Sequence, residues 1–309
     1  MKKLFYIDGG AGRVIAAIPA LKKYAKLHEG EDWNILIAGW DNLLWGHQDL
    51  QDLTYNPDTK GVFDNIIRHA DVIITPEPYR VPGYFLQKLS LVDAFDFEIN
   101  NTTDHSDLDP PVMIFSKTEE KNAANLISQV KQQQQKSKTV VIQPFGRSIR
   151  KDGMDLIDDS SRSLESISYL KLVKKLSTKY NLIFFGEQEF QVPEDTYTYK
   201  LNADLRTWAS IIEVSDYFIG VDSVGQHMAR AVNTPGTVIV GSTFPINVTY
   251  PDYFNIIEKP GAKKYSPIRL CGLDGHLADR YNDRCMDFSD KELDDMYKNI
   301  VEDIEKKVK

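Results

Sequence analysis

Asp222-Ser223-Val224-Gly225-Gln226-His227 places an acid, a hydroxyl, a glycine and an imidazole on one short stretch. It sits between an apolar run, Tyr217 to Val221, and a small-residue pattern through Ala229 and Ala231 to a Thr234-Pro235-Gly236 break. Such a pattern predicts a strand that stops and a helix that starts, leaving the first helical amides without intrahelical partners and partially positive. That end of a helix suits an anion such as a diphosphate. Asp222 or Ser223 can cap the amides, Val224 and Gly225 let them face a ligand, and His227 one turn in supplies a proton or a hydrogen bond. Each residue also has a plain reading: Ser223 as a cap, Asp222 as a buried turn residue, His227 as a satisfied histidine.

A second concentration lies near the start, where Asp8-Gly9-Gly10-Ala11-Gly12-Arg13 separates the apolar run Leu4 to Ile7 from an apolar helical pattern. A glycine-rich strand-to-helix turn admits a phosphate, a sugar or another piece of backbone. It is a poor dinucleotide fingerprint, because Ile15 stands where the third small residue belongs, and it lacks the Gly-Lys-Ser/Thr of a phosphate-binding loop. Kinase and ATPase readings fail there.

The elements that must position these groups follow from the rhythm of the chain. Strand-like and helix-like segments alternate: 4–7, helix 13–27, 33–37 and 72–75, then 139–143, helix 164–178, 181–186, helix 204–214, 217–222, helix 225–233 and 237–242. The later strands are apolar on both faces, as in a parallel sheet covered by helices. At 130–138, "VKQQQQKSK" breaks the periodicity and marks a domain boundary. The tail from Asp290 carries Leu293, Met296, Ile300, Val301 and Ile304 on one helical stripe. Two α/β domains, 1–135 and 136–288, with a closing helix at 289–309 that packs back toward the first, are the simplest account.

Composition sets the outer limits. The 309 residues are 42% hydrophobic, enough for a sizeable core, and a formal charge of -8 gives no global attraction to nucleic acid or anionic lipid. No apolar run reaches the length of a membrane span, no signal peptide is evident, and the two cysteines, Cys271 and Cys285, lack metal or disulfide spacing. A cytoplasmic protein with reduced thiols is expected.

The ordered block from Asp216 to Thr243 resembles the donor-site signature of the lipopolysaccharide heptosyltransferases, glycosyltransferases of the GT-B fold, with the signature glycine one place later at Gly225. "GAGRVIAAIPAL", "VVIQPFGR", "SRSLESISYLKLVKKL", the Gly186-Glu187 pair and "RCMDFSDKEL" resemble other segments of that family in the same order. The likeness covers 139–300 well and, in the first half, chiefly 4–25. It implies two Rossmann-like doubly wound parallel-sheet domains facing a cleft, with a nucleotide-diphosphate sugar as co-substrate on the second and an acceptor hydroxyl on the first. Metal independence and inversion at the anomeric carbon are implied in the same way, with no cofactor.

On that resemblance, Gly10, Gly12, Pro144, Gly146, Asp222, Ser223, Gly225 and His227 shape the donor site. Arg147 and Arg162 offset charge on the leaving diphosphate, and Glu187 takes a base or ribose hydroxyl; Arg147 reads equally as part of a solvated loop. "DLIDDSS" is expected to be an exposed insert. The chain departs from the family at Gly12-Arg13, where a Gly-Asp pair supplies the proposed general base, because an arginine stays protonated. Asp8, at the C-terminal end of the first strand, and Asp41, after the second, are the candidates to replace it. Arg13 is then available to the diphosphate or to an anionic acceptor. Trp40, Trp45, Tyr79, Tyr84 and Phe85 line an acceptor groove or belong to the core. The acceptor is a glycan, a lipid-linked compound or another hydroxyl. Two alternatives stay open: transfer to modified DNA bases, which the acidic charge disfavours, and a catalytically inactive sugar-nucleotide binding protein.

Overall fold

The computed structural model describes residues 1–146, 149–152, 155–158, 160–186, 198–201, 203–264 and 285–308. Arg147, Glu187 and Cys271 therefore lie outside the described residues. The chain forms two compact units, the first Met1–Ser116 and the second beginning at Lys117.

In the first unit four parallel strands, β1 (Lys3–Ile7), β2 (Trp33–Ile37), β3 (Thr54–Tyr55) and β4 (Val72–Ile74), lie in the order β3-β2-β1-β4. The Ala11–Leu27 helix follows β1 directly. Its Ala16, Ala17 and Ala20 are fully buried, and small residues on one face let a neighbouring helix approach closely. That neighbour is Leu91–Asn100, started by a reciprocal Ser90–Asp93 capping box and tied across by Asn100 Nδ2 donating to the Ala20 carbonyl at 3.0 Å. The sequence rhythm missed this helix.

The second unit is a six-stranded parallel sheet. Its strands are β5 (Thr139–Gln143), β8 (Asn181–Phe185), β9 (Thr198–Leu201), β10 (Tyr217–Val221), β11 (Gly236–Val240) and β12 (Asn255–Glu258), in the order β12-β11-β10-β5-β8-β9. Numbered by appearance, that is the doubly wound order 3-2-1-4-5-6 read from the β9 edge. An antiparallel hairpin, β6 (Ile149–Asp152) and β7 (Asp155–Asp158), fills the connection after β5. Thus "DLIDDSS" is partly a strand, and its second acid, Asp158, is engaged by the residues that follow.

Two boundaries differ from expectation. The Lys117–Gln134 helix belongs to the second unit, because Ala123, Ile127 and Val130 are buried and the Gln134 amide exchanges two hydrogen bonds with the Leu182 peptide, at 3.0 and 2.7 Å. Arg206 reinforces this with Nε and Nη2 on the Glu119 carboxylate at 2.7 and 3.1 Å. The glutamine run thus ends a helix inside the second unit, and the division falls at 116/117. The Asp290–Lys307 helix likewise joins the second unit: Leu293, Met296, Ile300 and Ile304 sit in one buried cluster with Val140, Leu172 and Tyr217. Among the described residues, no helix is long and apolar enough to cross a membrane.

Candidate functional site

In a doubly wound sheet ligands bind beyond the strand C-termini where the order reverses. For the second unit that is the crevice between β5 and β10, followed by Pro144-Phe145-Gly146 and by Asp222-Ser223. The structure brings these segments together: a Cβ built on Gly146 would lie 3.7 Å from Ser163 Oγ and 3.9 Å from Ser223 Oγ. Gly146 N–H donates to Ser163 Oγ at 2.8 Å, so this amide is already engaged.

Gly225 has a different purpose from the one its sequence suggests. Its N–H donates to Gln143 Oε1 at 2.8 Å, and an added Cβ would fall 2.0 Å from that oxygen and 2.8 Å from Phe218 Cζ. The missing side chain makes room for the protein's own Gln143, which stops the second helical amide from facing a ligand. Gln143 Nε2 also reaches Ser223 Oγ at 3.4 Å, and Ser223 makes no side-chain cap bond.

Charge at this crevice comes from Arg162 and Asp222, whose Nη1 and Oδ2 lie 3.8 Å apart. Arg162 is placed by a loop wound around Asp158, which accepts from the backbone N–H of Ser160 and Ser163, both at 2.8 Å, and of Arg162 at 3.3 Å. The hydroxyls of Ser160 and Ser163 also donate to it. Burial pushes the Asp158 carboxyl up, and hydrogen bonds from Ser160 and Ser163 with the Arg162 charge outweigh it, leaving the group below the ordinary carboxylate range. Arg162 Nε in turn donates to Ser160 Oγ at 3.0 Å.

His227 is buried, with Nδ1 2.9 Å from the Tyr250 hydroxyl. Burial, helped by the positive charge of Arg162, lowers its pKa to about 4. It is a neutral imidazole near pH 7, and the partner of its Nδ1 is the protein's own Tyr250. Tyr250, whose phenol burial pushes up, was missed from sequence, since nothing about "VTYPDYF" distinguishes it.

The first unit has its own switch point, between the C-termini of β1 and β4. Gly9 takes a left-handed φ of 91°, and a Cβ there would meet Arg13 Cδ at 2.8 Å. The turn closes around the Arg13 side chain. Arg13 Nη2 donates to Asp8 Oδ1 at 3.0 Å and to the Pro76 carbonyl at 3.2 Å, while Nη1 donates to Glu77 Oε1 at 3.1 Å. Its guanidinium lies 4.9 Å from the Tyr79 ring centre and 5.6 Å from that of Phe95.

Where the sequence offers Arg13 to a diphosphate or an anionic acceptor, the structure pairs it with the protein's own groups: Nη2 with a carboxylate and a carbonyl, Nη1 with a second carboxylate. Gly10 keeps open space around it, whereas Gly12 is already inside the helix. Asp41 accepts from Asn56 Nδ2 at 3.0 Å. Tyr84 is fully buried and belongs to the core, while Trp45 is exposed. Glu77 was missed: it is the first acid after β4, and only the strand order puts β4 beside β1.

No protein-family model and no curated protein sequence matches the chain. Among solved structures, E. coli ADP-heptose lipopolysaccharide heptosyltransferase II is similar at 11% identity, covering 99% of each chain with a TM-score of 0.66. A glycosyl transferase family 9 protein from Veillonella parvula is similar at 12% identity over 83% of this chain and 85% of that one, TM-score 0.63. E. coli heptosyltransferase WaaC, solved with ADP, is similar at 12% identity over 87% and 96%, TM-score 0.52. The chain thus shares the fold of these glycosyltransferases: two units, each built on a parallel sheet, and a C-terminal helix.

Proposed function

We propose that the chain transfers a sugar from a nucleotide-diphosphate donor to an acceptor hydroxyl, inverting the anomeric centre without a metal. The observation that carries this reading is the Arg162–Asp222 pair at the β5/β10 switch point, beside the start of the Val224–Ala231 helix. Arg162 is the cation that offsets negative charge on the departing diphosphate, and the amides of the helix start other than Gly225's add to it. His227, held by Tyr250, serves as a neutral hydrogen-bonding group for the donor. Pro144 and Gly146 form one wall, and Arg147 and Glu187 complete the donor contacts.

Asp8 is the general base. Arg13 anchors its Oδ1 at 3.0 Å and leaves the half-exposed carboxylate a second oxygen to take a proton. The acceptor oxygen bonds to the anomeric carbon as the bond to the diphosphate breaks; the bonding pair leaves with the phosphate and the proton goes to Asp8. Arg13 is a positioning residue in place of the family's carboxylate.

The neighbours solved as ADP-heptose enzymes make ADP-sugars the first donors to try. A thermal-shift series with ADP-, UDP-, GDP- and dTDP-sugars, followed by release of the nucleoside diphosphate, tests the proposal. A ligand that binds the native state raises its midpoint. A rise with one nucleotide class, with slow donor hydrolysis, is the expected result; no rise and no release with any donor overturns it.

A further inference from the structure

We propose that the acceptor taken by the first unit is an uncharged polyhydroxyl compound, a neutral glycan or glycoside, and that Glu77 binds its hydroxyls beside Asp8. This rests on the sugar-transfer reading and goes beyond it in naming the acceptor's charge class and a residue that selects it.

The argument begins with which side of an ion-pair cluster faces outward. Arg13 side-chain exposure is 10%, against 47% for Asp8 and 32% for Glu77. The single positive charge is therefore inside, and the two carboxylates that neutralise it are the groups presented at the β1/β4 switch point. Glu98 Oε2, which accepts from the Glu77 N–H at 3.4 Å, adds a third carboxylate. An acceptor phosphate arriving here meets like charge with no uncommitted cation in the cluster, an arrangement that rejects anionic partners.

Hydrogen-bonding capacity makes the same selection. Among the described residues Arg13 Nε is buried against Gly9, so the groups the cluster presents are the carboxylate oxygens, which only accept. A hydroxyl group answers them by donating. A phosphate monoester near neutral pH is mostly an acceptor and has little to donate. The half-buried Tyr79 ring, already stacked on the guanidinium, supplies an apolar face beside these polar groups.

The test uses the full chain with ADP-, UDP- and GDP-sugars and reads nucleoside diphosphate release. The acceptors are methyl hexosides, lactose and maltose, set against hexose 6-phosphates. The expected result is release stimulated at least about tenfold more by a neutral acceptor than by any phosphate. In Glu77→Gln, the KM for that neutral acceptor should rise about tenfold while the donor KM stays unchanged, the loss typical of one charge-assisted hydrogen bond. Glu98→Gln, outside the ion pair, should relax discrimination against hexose 6-phosphates without changing the donor KM, and serves if Glu77→Gln fails to fold.

Preference for a phosphorylated acceptor, stimulation by neither class, or an unchanged neutral-acceptor KM in folded Glu77→Gln overturns the inference. Donor turnover in the same assay would leave the sugar-transfer reading intact. Absence of both donor binding and donor turnover removes that reading, and the inference with it.

Discussion

The backbone N–H of Gly225 donates to the side-chain oxygen of Gln143 at 2.8 Å, so a residue at the end of β5 fills the place beside the helix start that its sequence offers to a ligand. The same substitution of self for ligand occurs in the first unit, where Gly9 is shaped around Arg13. Both glycines are required by close packing within the protein.

That packing predicts non-additive mutations. Gly225→Ala forces a Cβ to within 2.0 Å of Gln143 Oε1 and should cost about 1–3 kcal/mol, the usual range for overpacking. Gln143→Ala opens the space the new methyl needs, so the double variant should be less destabilised than the sum of the two singles. Urea unfolding of all four proteins checks this, and strict additivity would count against the contact.

His227 sets a pH dependence of stability. Its pKa falls from 6.5 to about 4 on folding, so between those values the unfolded chain binds more protons and stability drops as the pH is lowered. Below about pH 4 both states are protonated and this contribution levels off. Between pH 7.5 and pH 5 the loss should be about 2 kcal/mol. Comparing unfolding midpoints of wild type and His227→Gln at the two pH values isolates it, since the variant should lack this slope.

Asp8→Asn should lower the transfer rate by about two to four orders of magnitude, the usual contribution of a general base. Affinity for the nucleotide sugar should be unchanged. A wild-type rate at saturating acceptor would exclude Asp8 as the base.

Arg13→Met removes the cation between two partly exposed carboxylates. Outright loss of a buried pair costs about 3–5 kcal/mol; with Asp8 and Glu77 partly solvated, about 2 kcal/mol is expected. Adding Glu77→Gln should recover part of it, because one of the stranded charges is then gone. Chemical denaturation of the single and double variants measures both effects.

Asp158→Ala should weaken nucleotide-diphosphate binding about tenfold although Asp158 is proposed to touch no ligand, because the loop that aims Arg162 is organised on its carboxylate. Calorimetry with the preferred nucleoside diphosphate reads this directly. Equal affinity in variant and wild type would show that Arg162 is placed without it.

Much of the fold was legible because it is periodic. β5, β8, β10 and β11 are apolar on both faces, the first three are each followed by a helical pattern, and a sheet covered on both sides requires that repetition. The stripe at Leu293, Met296, Ile300 and Ile304 identified the last helix in the same way, since a 3.6-residue period is local. The unit it would pack against was not legible. A stripe records that a face is buried and not which surface buries it, and here the answer was the core around Val140 and Tyr217. For the same reason the glutamine run suggested a boundary that Gln134, paired with Leu182, moves to Lys117.

The sequence by itself determined the residue types at the two strand-to-helix turns, the alternation that makes an α/β sheet, and the departure at Arg13. Only the tertiary structure decided what those residues face. Strand order brought Glu77 to Asp8 across 69 positions and Gln143 to Gly225 across 82, and burial made His227 neutral. Strand pairing and burial are long-range outcomes of packing, which no local pattern of residue types encodes.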